Sequence, residues 1–248
     1  LLLPASLTSR LDAIAAKYVN PTDRLTEAMR LVQDEIRYVS LSIGNGAILP
    51  RSPTEVMATG YGDCKDKALL LASSLRYLGI EAVVALTDLD NGNFIADLPP
   101  SLLAFDHAIV KARLNNNDIW LDATDFSQGG RGFAIGQPHF GYALPLLSGN
   151  GELAKMPDFY PHSPTQVTEE EYTLPTADIG PMSIKVITTF TGPDADWYRK
   201  KIANETEADL ARRYTDYYAG KFPGLTSTAV LKVTDNRDIN LFVVEENY

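Results

Sequence analysis

The sequence is poor in cysteine and histidine, which limits the chemistry available to it. Cys64 is the single cysteine, so the chain has no internal disulfide, and cysteine usage does not indicate a compartment. The three histidines show no zinc-site spacing. The glycine-rich run 129–132 neither follows a convincing strand nor precedes a helix, so it is not a dinucleotide-binding fingerprint. We therefore expect no metal and no cofactor.

Basic residues and long apolar runs are also scarce. The chain carries 22 Lys and Arg against 32 Asp and Glu, a net charge of −10, which disfavours nucleic-acid and anionic-membrane surfaces. No apolar run approaches the roughly 20 residues that span a bilayer, and Leu1-Leu2-Leu3 is too short for a signal peptide core. We expect no nucleic-acid partner and no membrane contact. Because the chain does not begin with Met, we interpret it as part of a longer protein with flanking domains.

What the chain does contain indicates two globular domains. Its 248 residues are 45% hydrophobic, which is enough for a substantial core. The proline-rich segment 156–164 reads as a linker, and we predict domains over residues 1–160 and 165–248. The second domain is predicted to be a smaller, β-rich α+β unit with one long helix. Its predicted strands cover residues 168–174, 183–191, 229–234 and 240–245, and its helix covers 194–218.

The first domain begins with helical patterns that carry clear start signals. Apolar spacing predicts a helix over residues 6–19, and Asn20-Pro21 is typical of the start of a second helix. Residues 38–43 look extended. Ser52-Pro53-Thr54-Glu55 fits a capping box, which predicts a short helix ending near Gly60.

The cysteine lies at a third predicted helix start. Asp63 is a good N-cap, which places Cys64 in the first turn of a helix that ends at Gly79. A helix N-terminus stabilises negative charge, so this placement favours the thiolate, and the free N–H of Cys64 is suited to hold an oxyanion. The alternative is that Cys64 is a small buried hydrophobic residue. The polar neighbours Asp63 and Lys65 favour the functional interpretation.

A histidine and an aspartate follow on a predicted hairpin, after a buried strand over residues 81–87. The hairpin strands cover 107–113 and 119–122. A four-residue loop over 114–117 places Asp122 diagonal to His107, within side-chain reach. A two-residue turn at 116–117 places Asp122 too far away, and the sequence does not decide between these registers. Asp106 competes as the partner of His107, but strand alternation points it to the opposite face.

Three segments together resemble the motifs of the transglutaminase-like superfamily. They are Gly60-Tyr61-Gly62-Asp63-Cys64, Asp106-His107-Ala108-Ile109-Val110 and Trp120-Leu121-Asp122-Ala123-Thr124. The resemblance covers residues ~20–125. It implies a papain-like α+β core, with helices packed on an antiparallel sheet, and a catalytic triad of Cys64, His107 and Asp122. The wider context, Ile36-Arg37-Tyr38-Val39 and Arg51-Ser52-Pro53, resembles a bacterial subgroup of large multidomain proteins, which implies a cell-envelope or periplasmic location.

Two details of the resemblance leave questions open. It does not identify the second oxyanion donor, for which Tyr38, Ser40 or Ser42 in the preceding extended segment are candidates, and the alternative for Tyr38 is an aromatic residue of the core. Many members carry an aromatic residue two positions after the histidine, where this chain has Ile109. We expect this departure to affect the substrate groove rather than the triad.

The function expected from this site is thiol-dependent acyl transfer on amide or peptide bonds through a thioester, with hydrolysis favoured over cross-linking. The expected partner is a protein or peptide substrate. Two alternatives stay open: acyl transfer to a small amine, and a binding or scaffolding module in which the triad is silent.

Overall fold

The structure is a computed structural model that describes residues 2–40, 46, 48–147, 149, 151–157, 165–176 and 180–248. The predicted linker beyond Pro157, together with Ser42 and His162, lies outside the described residues. The chain divides into two units, each with helices and a largely antiparallel sheet, so the predicted α+β class is confirmed. The first unit comprises Leu1–Ser127, Arg131–Phe133 and Gln137–Tyr160; the second comprises Gln128–Gly130, Ala134–Gly136 and Pro161–Tyr248. None of the helices in the described ranges is both long and apolar enough to cross a membrane.

The first unit combines four helices with a five-stranded sheet within the described residues. In chain order its elements are α1 (Ala5–Lys17), α2 (Pro21–Glu35), β1 (Arg37–Tyr38), α3 (Pro53–Thr59), β2 (Tyr61–Gly62), α4 (Cys64–Tyr77), β3 (Ala82–Thr87), β4 (His107–Leu114), β5 (Asn117–Leu121), β6 (Tyr142–Pro145) and β7 (Ala154–Lys155). The five-stranded sheet is antiparallel, with strand order β5-β4-β3-β6-β7, and β1 pairs with β2 in parallel. Strands β6 and β7 were not predicted from the sequence, because both are short and show little alternation.

The predicted helix starts are confirmed by their caps. The Asn20 side chain accepts a hydrogen bond from the Thr22 N–H at the start of α2. Ser52 and Glu55 form a capping box on α3, which ends at Gly60 with a left-handed φ of 69°. These caps satisfy N–H groups that a helix start leaves without a partner, which is why short local motifs were enough to predict them.

Helix α4 is the central helix of the first unit. It packs against α2, β3 and β4, and buries Leu70, Leu71 and Leu75 completely. Burial of three leucine side chains stabilises the unit by several kcal/mol, at about 2 kcal/mol each. This packing holds the first turn of α4 in a defined position against the sheet.

The hairpin of β4 and β5 adopts the register that favours a His107–Asp122 contact. Arg113 pairs with Asp118, as the four-residue loop predicted. The loop itself is shorter than predicted, because Leu114 also pairs with Asn117. Asn115 and Asn116 form the turn, with φ angles of 51° and 64°, in the manner of tight hairpin turns.

The second unit contains a four-stranded antiparallel sheet and two helices within the described residues. Its elements are β8 (Gln166–Thr173), β9 (Ser183–Thr191), α5 (Gly192–Ile202), α6 (Glu207–Ala219), β10 (Lys232–Asn236) and β11 (Leu241–Asn247), with strand order β10-β11-β9-β8. The prediction of a single helix over 194–218 was wrong. The helix is interrupted after Ile202, and Thr206 caps α6 by accepting a hydrogen bond from the Asp209 N–H at 3.1 Å.

Candidate active site

Cys64 is the first residue of α4, as predicted from its N-cap. The Asp63 carboxylate accepts a hydrogen bond from the Asp66 N–H at 3.1 Å, and the Asp66 side chain accepts one from the Asp63 N–H at 3.4 Å. Cys64 is half-buried, which contradicts the alternative of a fully buried hydrophobic residue. As the first residue of the helix it has an N–H without an intrahelical partner, which leaves that group available to a ligand.

The charges around this helix start are paired rather than free. Lys65 forms an ion pair with Asp63. Asp66 is buried and accepts hydrogen bonds from the Arg51 N–H at 2.7 Å and the Arg51 Nε at 2.8 Å. Arg51 also donates to the Tyr61 carbonyl at 2.5 Å. The chain segments before and after α3 are therefore fastened to the first turn of α4, which restricts movement of the thiol.

His107 and Asp122 are in direct contact. His107 Nε2 lies 2.9 Å from Asp122 Oδ2. The other carboxylate oxygen, Oδ1, accepts hydrogen bonds from the Thr124 N–H at 2.8 Å and the Thr124 hydroxyl at 2.7 Å. Because Nε2 is occupied by Asp122, Nδ1 is the ring nitrogen left to exchange a proton with the thiol. The competing carboxylate, Asp106, instead accepts from the Leu89 N–H at 3.0 Å.

The electrostatics of the pair favour the imidazolium form of His107 beside the Asp122 carboxylate. Burial lowers the pKa of His107, but hydrogen bonds with Asp122 and with Cys64 outweigh it and raise the pKa from 6.5 to about 10. Burial raises the pKa of Asp122, yet the hydrogen bonds from His107 and Thr124 outweigh it and hold the pKa below its ordinary value. The structure thus brings together Cys64, His107 and Asp122.

Of the predicted second oxyanion donors, Tyr38 lies near the thiol. Strand β1 pairs with β2 immediately before Cys64, with Tyr38 opposite Gly62. Burial raises the pKa of Tyr38, and electrostatic interactions with Cys64, Asp63 and Asp122 raise it further. Ser40 is exposed and forms a hydrogen bond with the Tyr38 hydroxyl. Ser40 is therefore a hydrogen-bonding partner of the candidate donor Tyr38.

Three residues near the site were not predicted from the sequence, and two of them, Thr124 and Gln33, contact Asp122 directly. Thr124 fixes Asp122, and the Asp-x-Thr spacing is a recognisable local turn that could have indicated this. Gln33 donates to the Asp122 carbonyl at 2.7 Å. Lys67, in the first turn of α4 after Cys64, is fully buried. The contacts of Gln33 and Lys67 join distant parts of the chain, so the sequence contains no signal for them.

Two further features bear on the sequence-based expectations. Ile109 is completely buried in a cluster with Ala85, Trp120, Ala143 and Met156, so it contributes to the core and not to a groove. The ring of His107 packs edge-on against Phe140, with ring centroids 5.8 Å apart. Among the described residues, no group of three or more His, Cys, Asp and Glu side chains is placed to hold a metal ion.

Comparisons with known proteins agree with the family resemblance. The sequence model of the transglutaminase-like superfamily matches residues 9–124. No curated protein sequence matches the chain significantly.

Three solved structures are similar in part. A candidate cysteine protease from Cytophaga hutchinsonii is 21% identical, with a TM-score of 0.37, over 48% of this chain and 37% of that one. A candidate protease from Parabacteroides distasonis is 11% identical, with a TM-score of 0.46, over 98% of this chain and 48% of that one. Calcium-bound LapG of Legionella pneumophila is 16% identical, with a TM-score of 0.29, over 46% of this chain and 71% of that one.

The chain thus spans less than half of the length of the first two of these proteins. Its matched segment contains Cys64, His107 and Asp122 together with the elements that carry them. Residues 9–124 therefore match the transglutaminase-like superfamily, and the match includes the segment that carries these three residues.

Proposed function

We propose that this protein is a thiol-dependent acyl-transfer enzyme that hydrolyses amide or peptide bonds at Cys64. The observation that carries the proposal is the position of His107, which forms hydrogen bonds with both Asp122 and Cys64 at the start of α4. A buried imidazole between a carboxylate and a thiol stabilises the thiolate and holds a proton ready for a leaving group.

The reaction follows from these positions. The Cys64 thiolate attacks the carbonyl carbon, and a C–S bond forms as the oxygen becomes negatively charged. The Cys64 N–H and the Tyr38 hydroxyl hold that oxygen. The C–N bond then breaks, and the amine leaves with the proton from the His107 imidazolium. Water next gives a proton to His107 and its hydroxyl to the thioester carbon, which releases the acid and restores the thiolate.

Asp122 has a separate task in this scheme. Its carboxylate holds Nε2 of His107, so Nδ1 faces the thiol through the whole cycle. Thr124 keeps the carboxylate itself in place through two hydrogen bonds. We also propose that the protein lies in the cell envelope and that the thioester prefers water over an amine as its acyl acceptor. Both statements stay predictions.

The test is turnover of peptide libraries by the purified chain, with Cys64→Ser as the matched control. We expect cleavage by the wild-type protein, none by Cys64→Ser, and a thioester adduct at Cys64 after an acid quench, seen by mass spectrometry. Adding a primary amine separates hydrolysis from transfer, because an amide product with the added amine appears only in the second case. A Cys64→Ser protein with full cleavage activity would refute the proposal, and peptide binding without any adduct would instead favour a silent triad.

A further inference from the structure

Lys67 is a buried cation one helical turn beyond Cys64. It is 1% exposed, and its ammonium donates to the Gln33 carbonyl at 3.1 Å and to the Ile36 carbonyl at 2.5 Å. These carbonyls lie at the C-terminal end of α2, where a helix leaves its last carbonyls without intrahelical partners. Burying an ammonium group is costly unless it is fully hydrogen-bonded or paired, so a charge at this position calls for an explanation.

Gln33 extends the same contact to the triad. Its side chain is buried, and Nε2 donates to the backbone carbonyl of Asp122 at 2.7 Å. The end of α2 is therefore joined on one side to the first turn of α4, and on the other to the residue that holds His107. The contacts form a closed ring that runs from α4 through α2 to Asp122, and from there through His107 back to Cys64.

We infer that Lys67 and Gln33 are positioning residues that set the distance between the thiol helix and Asp122. The inference rests on the proposed roles of Cys64, His107 and Asp122. Cys64 and Asp122 belong to elements that are far apart in the chain, and the hairpin alone fixes only His107 against Asp122. Helix α4 also packs on β3 and β4, and the bridge through α2 adds hydrogen bonds that tie the first turn of α4 to the segment of Asp122.

The charge of Lys67 supports this role. Burial lowers the pKa of Lys67 to about 8, while the carboxylates of Asp122, Asp34 and Asp125 oppose that shift. At neutral pH the group is thus an ammonium surrounded by acids from α2 and from the segment after β5. A methionine in its place would keep the volume but would leave two buried carbonyls without a donor.

The experiment compares Gln33→Met, Lys67→Met and the double variant with the wild-type protein. Ser74→Ala is the matched control, because Ser74 is also buried on α4 and donates to the Leu70 carbonyl at 2.9 Å. It lies ten residues from Cys64, about 15 Å along the helix. The two readouts are the alkylation rate of Cys64 by iodoacetamide and the titration midpoint of His107 by NMR.

We expect each single variant to slow alkylation by about tenfold, since small misplacements at a site cost this much or more. Gln33→Met should also lower the His107 midpoint towards its ordinary value. The double variant should be no slower than the slower single variant, because either change breaks the same ring. Ser74→Ala should keep both the alkylation rate of Cys64 and the titration midpoint of His107, although its melting temperature should fall like that of Gln33→Met.

Other results would overturn the inference. An alkylation rate and a His107 titration midpoint in Gln33→Met that equal those of the wild-type protein would do so. Rate losses in the double variant that equal the product of the losses in the two single variants would also do so. If Lys67→Met does not fold, Gln33→Met alone decides the matter. Failure of the proposed function looks different, because the wild-type protein itself would then react no faster than free cysteine and show an ordinary His107 midpoint.

Discussion

The Nε2 atom of His107 lies 2.9 Å from Oδ2 of Asp122, and Thr124 holds the other oxygen of the same carboxylate. This contact occupies Nε2, which leaves Nδ1 as the ring nitrogen that can exchange a proton with Cys64. The contact depends on strand pairing, since Val110 lies opposite Leu121 and Asp122 directly follows the end of β5.

The first prediction concerns the charge on this carboxylate. Asp122→Asn keeps the shape of the side chain but no longer stabilises the imidazolium, so we expect peptide turnover to fall on the order of 10²- to 10⁴-fold. Asp106→Asn is the control, because Asp106 also adjoins His107 in the chain but binds the Leu89 N–H. Steady-state kinetics measure both variants, and equal losses in the two would contradict the assigned role of Asp122.

The second prediction is a pH dependence of stability. The folded state raises the pKa of His107 from 6.5 to about 10, so the group stabilises the fold fully below about pH 6.5. That stabilisation is lost as the pH rises towards 10. We compare the free energy of unfolding in urea of the wild-type protein with that of His107→Gln. The difference between them should shrink on the order of a few kcal/mol between pH 6 and pH 10. Lys67 titrates in both proteins, so its contribution to this difference largely cancels. A difference in the free energy of unfolding that stays constant with pH would count against the His107–Asp122 ion pair.

The third prediction separates helix capping from chemistry. Asp63→Ala and Ser52→Ala each remove the N-cap of a capping box, on α4 and α3 respectively. Both should lower the free energy of unfolding by about 1 kcal/mol. Asp63→Ala should in addition slow alkylation of Cys64, because the first turn that presents the thiol frays. A reduced alkylation rate in Ser52→Ala as well would show that the effect is one of general stability.

The fourth prediction tests the second oxyanion donor. Tyr38→Phe removes a hydroxyl that the proposed reaction places on the oxyanion, so acylation should slow by about 10²-fold. Alkylation by iodoacetamide forms no oxyanion and should not change. Tyr77→Phe is the control, since Tyr77 is similarly exposed, at 45% against 47%, and its hydroxyl binds Asp12 instead. Unchanged acylation in Tyr38→Phe would remove Tyr38 from the mechanism.

Local signals explain how much of this fold and site the sequence could predict. The caps at Asn20, Ser52 and Asp63 act within four residues, so their side chains alone locate the helix starts. The thiol, the histidine and the aspartate were found for the same reason, as parts of short motifs. The break before α6 had a local signal too, in the Thr206 cap, but the longer helical pattern concealed it.

The remaining features depend on contacts between distant segments. The hairpin register follows from left-handed backbone at Asn115 and Asn116, and a run of three asparagines does not show which two adopt it. Lys67 becomes a buried cation only because α2 ends beside it, and Gln33 meets Asp122 across 89 positions of the chain. Strands β6 and β7 form because β3 and β6 supply hydrogen-bonding partners, without strong alternation of their own.

The most direct test of the central claim is the alkylation rate of Cys64 at pH 6 in the native chain, compared with the same protein unfolded in urea. Free cysteine is almost entirely protonated at this pH and reacts slowly. If His107 holds Cys64 as a thiolate, the native protein should react at least about tenfold faster than the unfolded one, and His107→Gln should abolish the difference. A native rate equal to or below the unfolded rate would contradict the account.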